Sequence, residues 1–420
     1  MKCETLKPMA TTLGARFWKL WTTTVASSVG DGLYRVILPL LAVSYTRSPV
    51  LVSLVSICLY LPWLLFALPV GAYADRLDRR QLIILAQGLR FLALILFAVA
   101  AALGLANLML LCVLAVILGT GELLFSGSAT AMLPMVVEQS QLSVANSRLF
   151  AVRTLAENFI GQAGGGLLIS LALVAAVSST AAFYAVAVIA IMLIAGRFRP
   201  QRPKRTTTIR QDIAEGVRFL VDHKVLRTLA LVGGGLNFAN TAFMSVFVLY
   251  AVGKHSAMGL PDWAYGLLLT VTAVGATIGS LLAPKAERRF GRTRVIAVVL
   301  CAPIIAQAVP AATAIVVVVA AAFIIHGAGI AIWNVIQVTL RQRLVPNELL
   351  GRVQSCITLL SWGTMPVGAL VGGALADWIG LRGMFAITAT MGAFLLLGMR
   401  VITEQNIAAE EDAAVPATVA

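Results

Sequence analysis

Long apolar stretches separated by short polar connections fill nearly the whole chain. A helix of about 20 mostly apolar residues spans the ~30 Å hydrocarbon core of a bilayer. The runs predict helices at roughly 20–44, 50–72, 81–104, 106–127, 147–173, 178–196, 227–252, 263–284, 294–310, 312–338, 354–376 and 381–402. Turn formers sit between them, as in Thr46-Arg47-Ser48-Pro49 and at Val309-Pro310. The expected fold class is therefore an all-α membrane protein of twelve transmembrane helices, with both termini on the same side.

The chain also resembles itself at a shift of about 208 residues. Ala42-Val43 falls opposite Ala251-Val252, Asp31 opposite Asn240, and Gly165-Gly166 near Gly372-Gly373. The stretch from Val136 to Ser147 falls opposite Leu344 to Ser355. Parallel repeats of six helices imply two pseudo-symmetric bundles with a cavity between them near the membrane midplane. The expected organisation is an N-terminal six-helix bundle over 1–196, a basic linker over 197–226, a C-terminal six-helix bundle over 227–403, and an acidic, disordered tail over 404–420. The linker carries Arg197, Arg199, Arg202, Lys204, Arg205, Arg210, Arg218 and Lys224. In its second part Ile213, Val217, Leu220 and Val221 make one apolar helical face, as in a helix lying on a membrane surface.

Composition agrees with this reading: 60% of the 420 residues are hydrophobic and 12% are charged, too few charges to cover a soluble surface of this size. The net charge of +14 would suit nucleic acid, but its distribution does not. Apart from Arg35, Arg47, Lys254 and Arg382, the 32 Lys and Arg fall on one side of the predicted bilayer or just inside it. That asymmetry makes the basic side cytoplasmic and predicts a multi-pass plasma-membrane protein that touches anionic lipid headgroups and no nucleic acid. The N-terminal residues show no apolar core ahead of a cleavage site, so no cleavable signal peptide is expected. Cys3, Cys58, Cys112, Cys301 and Cys356 have no metal-site spacing and read as packing residues. No phosphate loop, zinc spacing or serine elbow is visible. Neither an enzyme nor a cofactor is expected, and any transport must draw on a gradient.

The connection after the second predicted helix reads Gly71-Ala-Tyr-Ala-Asp75-Arg76-Leu-Asp78-Arg79-Arg80. It resembles the G-x-x-x-D-R-x-G-R-R signature of the major facilitator superfamily, with Asp78 where glycine is usual. Helix count, loop pattern and repeat extend the resemblance over the whole chain. It implies that Gly71, Asp75, Arg76, Arg79 and Arg80 form a cytoplasmic gate; the arginines equally suit a purely topological role. The second-half counterpart, from Pro284 to Arg292, lacks the first glycine and the acid. The first helix (Gly30-Asp31 through Arg35 to Pro39) is similar to the bacterial exporter branch that contains macrolide and tetracycline efflux proteins and the enterobactin exporter. So are Trp333-Asn334, Arg341 to Pro346, and Trp362-Gly363 with Pro366. The resemblance implies a monomeric exporter of a small amphiphilic substrate, exchanged for protons. Antiporters of the superfamily often carry Gly-Pro before Gly-Gly in the fifth helix; here Gln162 stands in place of the proline, in Gly161-Gln162-Ala-Gly-Gly165-Gly166.

Charges inside the hydrocarbon give the mechanistic candidates, since each costs at least ~2.5 kcal/mol near a helix centre unless paired or hydrated. Asp31 and Arg35, four apart, are expected to pair on one helix face, as are Arg153 and Glu157. Glu122 has no partner on its own helix. Each carboxylate reads either as a proton carrier or as part of a fixed ion pair. In the second half Asn237, Asn240, His326, Trp333, Asn334 and Trp362 are candidate cavity residues, with Asn240 expected to face the same cavity as its counterpart Asp31. Packing is the commoner role for a lone histidine such as His326 and for Trp333 and Trp362. A dedicated exporter of one metabolite or siderophore, a lipid flippase, and a non-transporting receptor or scaffold remain open alternatives.

Overall fold

A computed structural model describes residues 13–74, 77–199, 209–346 and 349–414. Its elements run α1 (Ala15–Tyr45), α2 (Pro49–Ala74), α3 (Arg79–Ala102), α4 (Leu108–Val136), α5 (Leu142–Leu155), a π-helical turn (Ala156–Gly161) and α6 (Gln162–Leu171). Then come α7 (Leu173–Met192), α8 (Ile209–Asp222), α9 (Lys224–Ala251), α10 (Asp262–Phe290), α11 (Arg292–Val299), α12 (Cys301–Ala312), α13 (Val316–Leu344), α14 (Leu350–Leu395) and α15 (Glu404–Ala414). Among the described residues ten helices are long and apolar enough to cross a membrane. Their outward faces carry exposed Leu92, Leu96, Met109, Val298 and Val317, an apolar coat that water would not tolerate and hydrocarbon would. The chain is a multi-pass membrane protein.

Two elements depart from simple spans. The segment from Leu142 to Leu171 is helical throughout but is interrupted by the π turn, which widens the helix by one residue per turn and re-aims the side chains around Glu157. The long final helix breaks at Gly380 (φ 77°, ψ 165°), a left-handed geometry open to glycine, so two helices meet at a kink there. Side-chain caps start other helices where the sequence offers them: Asp78 Oδ1 accepts from the Arg80 N–H at 3.0 Å, and Asn107 Oδ1 from Leu110 N–H at 3.0 Å.

Helices α1 to α7 pack mainly on one another, and so do α9 to α14. The two sets meet chiefly along α2 with α14 and α6 with α10. Glycines make both seams close. A Cβ on Gly166 would stand 3.0 Å from the Gly266 Cα, and one on Gly373 would collide with the Ser53 hydroxyl. These contacts, with the hydrogen bond from Arg47 Nη1 to the Val252 carbonyl at 3.0 Å, lie at the end of the bundle away from the first residues of α1. At the other end, among the described residues, α4 and α5 make no comparable packing with α13 or α14.

The linker helix α8 docks on α14. Gly216 sits against the Arg352 backbone, and Glu215 pairs with the Arg352 guanidinium. Leu220 is buried, while Val217 and Val221 stay exposed, so the apolar face read from the sequence is split between protein and surroundings. The tail differs from the disordered segment that its acids predict. Residues Glu404–Ala414 form α15, with Ile407 buried. Glu410 Oε1 accepts from Val225 N–H at 3.0 Å, and Glu404 Oε1 from Thr293 N–H at 2.9 Å. Those amides belong to the first turns of α9 and α11, where unpaired N–H groups and the positive helix end favour a carboxylate. Acids that read as solvating in the sequence thus anchor the tail.

Close helix contact makes a direct prediction. A Cβ on Gly275 of α10 would collide with the Ile324 carbonyl oxygen of α13, whereas Gly88 of α3 faces open space. Gly275→Leu should lower thermal stability in detergent by about 1–3 kcal/mol or more through overpacking, and Gly88→Leu should leave it nearly unchanged; equal melting shifts for the two would contradict this packing.

Candidate functional site: a buried charge network beside a shared cavity

Three acids and three arginines of the first half form two linked clusters. In the first, Arg90 of α3 pairs with Asp31 of α1 at 3.0 Å, and the Tyr184 hydroxyl of α7 donates to the same Oδ1 at 2.7 Å. Arg90 is fully buried and also donates to the Leu118 carbonyl and the Ser27 hydroxyl, the latter held in turn by Gln87. Small residues create the room: a Cβ on Gly121 would strike the Arg90 side chain, and one on Gly30 the Tyr184 ring.

In the second cluster, Arg35 forks between two carboxylates. Its Nη2 meets Glu122 Oε1 of α4 at 2.8 Å and its Nη1 meets Glu157 Oε1 of the π turn at 2.8 Å. The Tyr34 hydroxyl donates to the other Glu122 oxygen at 2.6 Å, and Arg153 approaches Glu157 at 3.6 Å. The π turn can reach Arg35 because α1 carries Gly32 there: a Cβ would run into the Glu157 carbonyl oxygen. Formal charges cancel across the six groups, the condition for keeping them ionised in a poorly solvated interior.

This pairing corrects the sequence expectation for α1. Asp31 and Arg35 share a helix but not each other; each is taken by a partner from another helix. Spacing shows which side chains share a face, whereas a fully buried arginine across the interface outcompetes a neighbour on the same helix. The Arg153–Glu157 pair forms as its spacing predicts, as the longest link of the network. Tyr34, Tyr184 and Gln87 escaped the sequence reading, since a tyrosine or glutamine within an apolar run carries no periodic signal. Arg90 falls within the predicted span 81–104, but nothing in the sequence points to its partner.

Arg35 opens from this network onto a cavity of about 370 Å³ between the two halves, lined also by Tyr60, Asn158 and Gln162 from the first half and by Asn240, His326 and Trp362 from the second. A second cavity of about 300 Å³ shares Asn240, His326 and Trp362 with it and adds Asn237, Trp333 and Asn334. All six second-half candidates therefore line this second cavity. Its size suits a small organic molecule. Asp31 and its repeat counterpart Asn240 do not both face the first cavity: Asn240 lines it and Asp31 is sealed behind the wall, where Arg35, one turn on, takes the exposed place. Trp63 and Trp362 stack across the two halves, 4.3 Å between centroids. Trp362 borders the first cavity and, with Trp63, lines a third of about 330 Å³ that reaches Arg153 and Glu157.

The gate candidates are divided. Asp75 and Arg76 lie outside the described residues, and Gly71 is in the last turn of α2. Arg79 donates to the Ala131 carbonyl, and Arg80 to the Met192 carbonyl at 2.9 Å. Both arginines thereby tie the start of α3 to the ends of α4 and α7 within the first half. Asp78, in the position where the signature has glycine, accepts from Arg80 N–H and from Phe198 N–H.

Over residues 4–418 the chain matches the family described as transmembrane secretion effector. The chain belongs to that family, within the major facilitator superfamily. The family is one of membrane transporters and not of enzymes. A relative from Mycolicibacterium fortuitum, the multidrug efflux pump Tap, is 29% identical over 392 residues, covering 89% of this chain and 92% of the pump. Tap of Mycobacterium tuberculosis is 26% identical, covering 95% and 96%. Macrolide efflux protein A of Streptococcus pyogenes is 23% identical, covering 90% and 93%. Among solved structures, the nucleoside transporter NupG superposes with a TM-score of 0.75 at 12% identity, covering 93% of this chain and all of NupG. A bacterial homologue of ferroportin in an inward-facing state gives 0.72 at 16% identity, covering 93% and 98%. These two establish likeness of fold.

The buried pair gives a prediction. Removing one partner of a buried ion pair strands the other and costs about 3–5 kcal/mol, whereas removing both costs less. Arg90→Met should therefore sharply lower the melting temperature of the purified transporter, and Asp31→Asn added to it should recover part of the loss. A double variant as unstable as the sum of the singles would show that the two residues act independently.

Proposed function

We propose that this transporter is a secondary exporter of amphiphilic, drug-like compounds, driven by proton antiport and working by alternating access between two bundles of six helices. The observation that carries the reading is Arg35, held between Glu122 and Glu157 at the wall of a cavity lined from both halves. Multidrug and macrolide efflux by the relatives supports the substrate class. Twelve crossings follow if Leu142–Leu171 spans the membrane and α14 divides into two at Gly380.

The positive-inside bias puts the termini in the cytoplasm, with the protein in the plasma membrane as a monomer among lipids. On that orientation the glycine seams close the outer side, and the gap between α4–α5 and α13–α14 opens inward. Substrate enters from the cytoplasm and rests on Trp362 and the polar groups of the second half. In the opposite state, a proton from outside neutralises Glu122 or Asp31 and releases the arginine that the carboxylate held. The arginine re-pairs when that proton leaves to the cytoplasm, so the charge pattern of the first half differs between the two states. The membrane potential adds about 2.3 kcal/mol per charge per 100 mV to an electrogenic cycle.

In proteoliposomes with an imposed pH gradient, the wild type should move a fluorescent amphiphile against its concentration gradient. Asp31→Asn, with the loss of stability that stranding Arg90 brings, and Glu122→Gln should retain binding and lose gradient-driven movement; full coupling in both variants would end the proton-carrier reading. Gly166→Leu should overpack the seam of α6 and α10 where the outer side is closed, and so reduce transport, because these backbones stand in contact there. Transport identical to the wild type would exclude this seam as an outer closure.

A further inference from the structure

The charges that face the cavity are not alike. Arg35 is shared by two carboxylates, but Arg341, near the end of α13, lines the second cavity with no acidic side chain paired to it among the described residues. Nor does any carboxylate among the described residues line either of these two cavities; Glu157 lines the third, where Arg35 and Arg153 offset it. Arg341 is also no stray end-of-helix charge turned to the bilayer. Asn334, Gln337 and Arg341 recur at intervals of three and four along α13, one face of the helix, and all three line the cavity. Asn237 from α9 and Gln354 from α14 face the same space, and Trp333 and Trp362 supply flat apolar walls. The result is a half-buried guanidinium surrounded by neutral amide groups and aromatic surface, a setting that lacks one thing: an anion.

We propose that this second cavity binds the anionic group of a soluble amphiphile, with a carboxylate, sulfonate or phosphate on Arg341 and a flat apolar body against Trp333 and Trp362. This deepens the export reading, on which it rests, by naming the charge of the substrate. A guanidinium presents a planar fork of donors that matches such oxyanions, and the neutral amides can complete the contact without competing charge. A cationic substrate would meet Arg341 with no carboxylate to offset it.

The test uses the full-length protein in nanodiscs and a matched pair of probes: 8-anilino-1-naphthalenesulfonate and its uncharged parent, N-phenyl-1-naphthylamine. Binding is read from quenching of tryptophan fluorescence. Arg341→Gln should weaken sulfonate binding about tenfold, the scale of one lost charge-assisted contact, and leave the parent within about twofold. Arg341→Lys, which keeps the charge, should retain most of the sulfonate affinity. Sulfonate binding that ignores Arg341→Gln overturns the anion site while the parent still reports an intact cavity. If neither probe binds the wild type, the substrate cavity itself is refuted, and the proposal falls with it. Displacement of the sulfonate by phosphatidylglycerol in the wild type but not in Arg341→Gln would make the anion a lipid headgroup and overturn the soluble substrate; indifference to that lipid supports it.

Discussion

Cancellation of charge inside the first half is the constraint on which the rest depends. Asp31, Glu122 and Glu157 are buried, and each would be costly in a low-dielectric interior without a cation at hydrogen-bond distance. Arg90, Arg35 and Arg153 supply those cations from three helices, and Tyr34 and Tyr184 complete the acceptor sites. Holding so many partners in register fixes α1 against α3, α4, α7 and the π turn. The glycines at 30, 32 and 121 answer the same demand, since the side chains and backbones that make these pairs need the space a Cβ would fill.

The second half is built under a different rule. Its described membrane-spanning core has amides, a histidine and tryptophans around the cavity, and its cation there has no paired acid. The two halves share a helical plan but divide the chemistry: the first holds a charge-balanced network, the second a polar and aromatic wall. Among the described residues this network touches the first cavity through Arg35, while Arg153 and Glu157 line the third. This division is also why an internal repeat, useful for the architecture, misleads at Asp31 and Asn240, where equivalent positions face different surroundings.

Elements outside the spans matter for the same electrostatic reason. The carbonyl ends of α4 and α7 receive Arg79 and Arg80, and the amide ends of α9 and α11 receive Glu410 and Glu404. Each set matches side-chain charge to the partial charge of a helix terminus. Through these contacts a signature loop and an acidic tail act as local ties of the two halves.

The sequence by itself determined the class of molecule. Apolar run length fixed the multi-pass helical character, and the loop from Gly71 to Arg80 pointed to the superfamily, because both are local properties of consecutive residues. It also marked which polar residues were out of place in hydrocarbon, and the second-half candidates among them gather around one cavity. Only the tertiary structure decided who pairs with whom. Arg35 could meet Asp31 four residues away or acids more than 80 residues distant, and the choice rests on where α4 and the π turn stand. The π turn, the seal of Asp31 behind the cavity wall and the anchoring of the tail were equally invisible, since each depends on a packing partner and not on spacing along the chain.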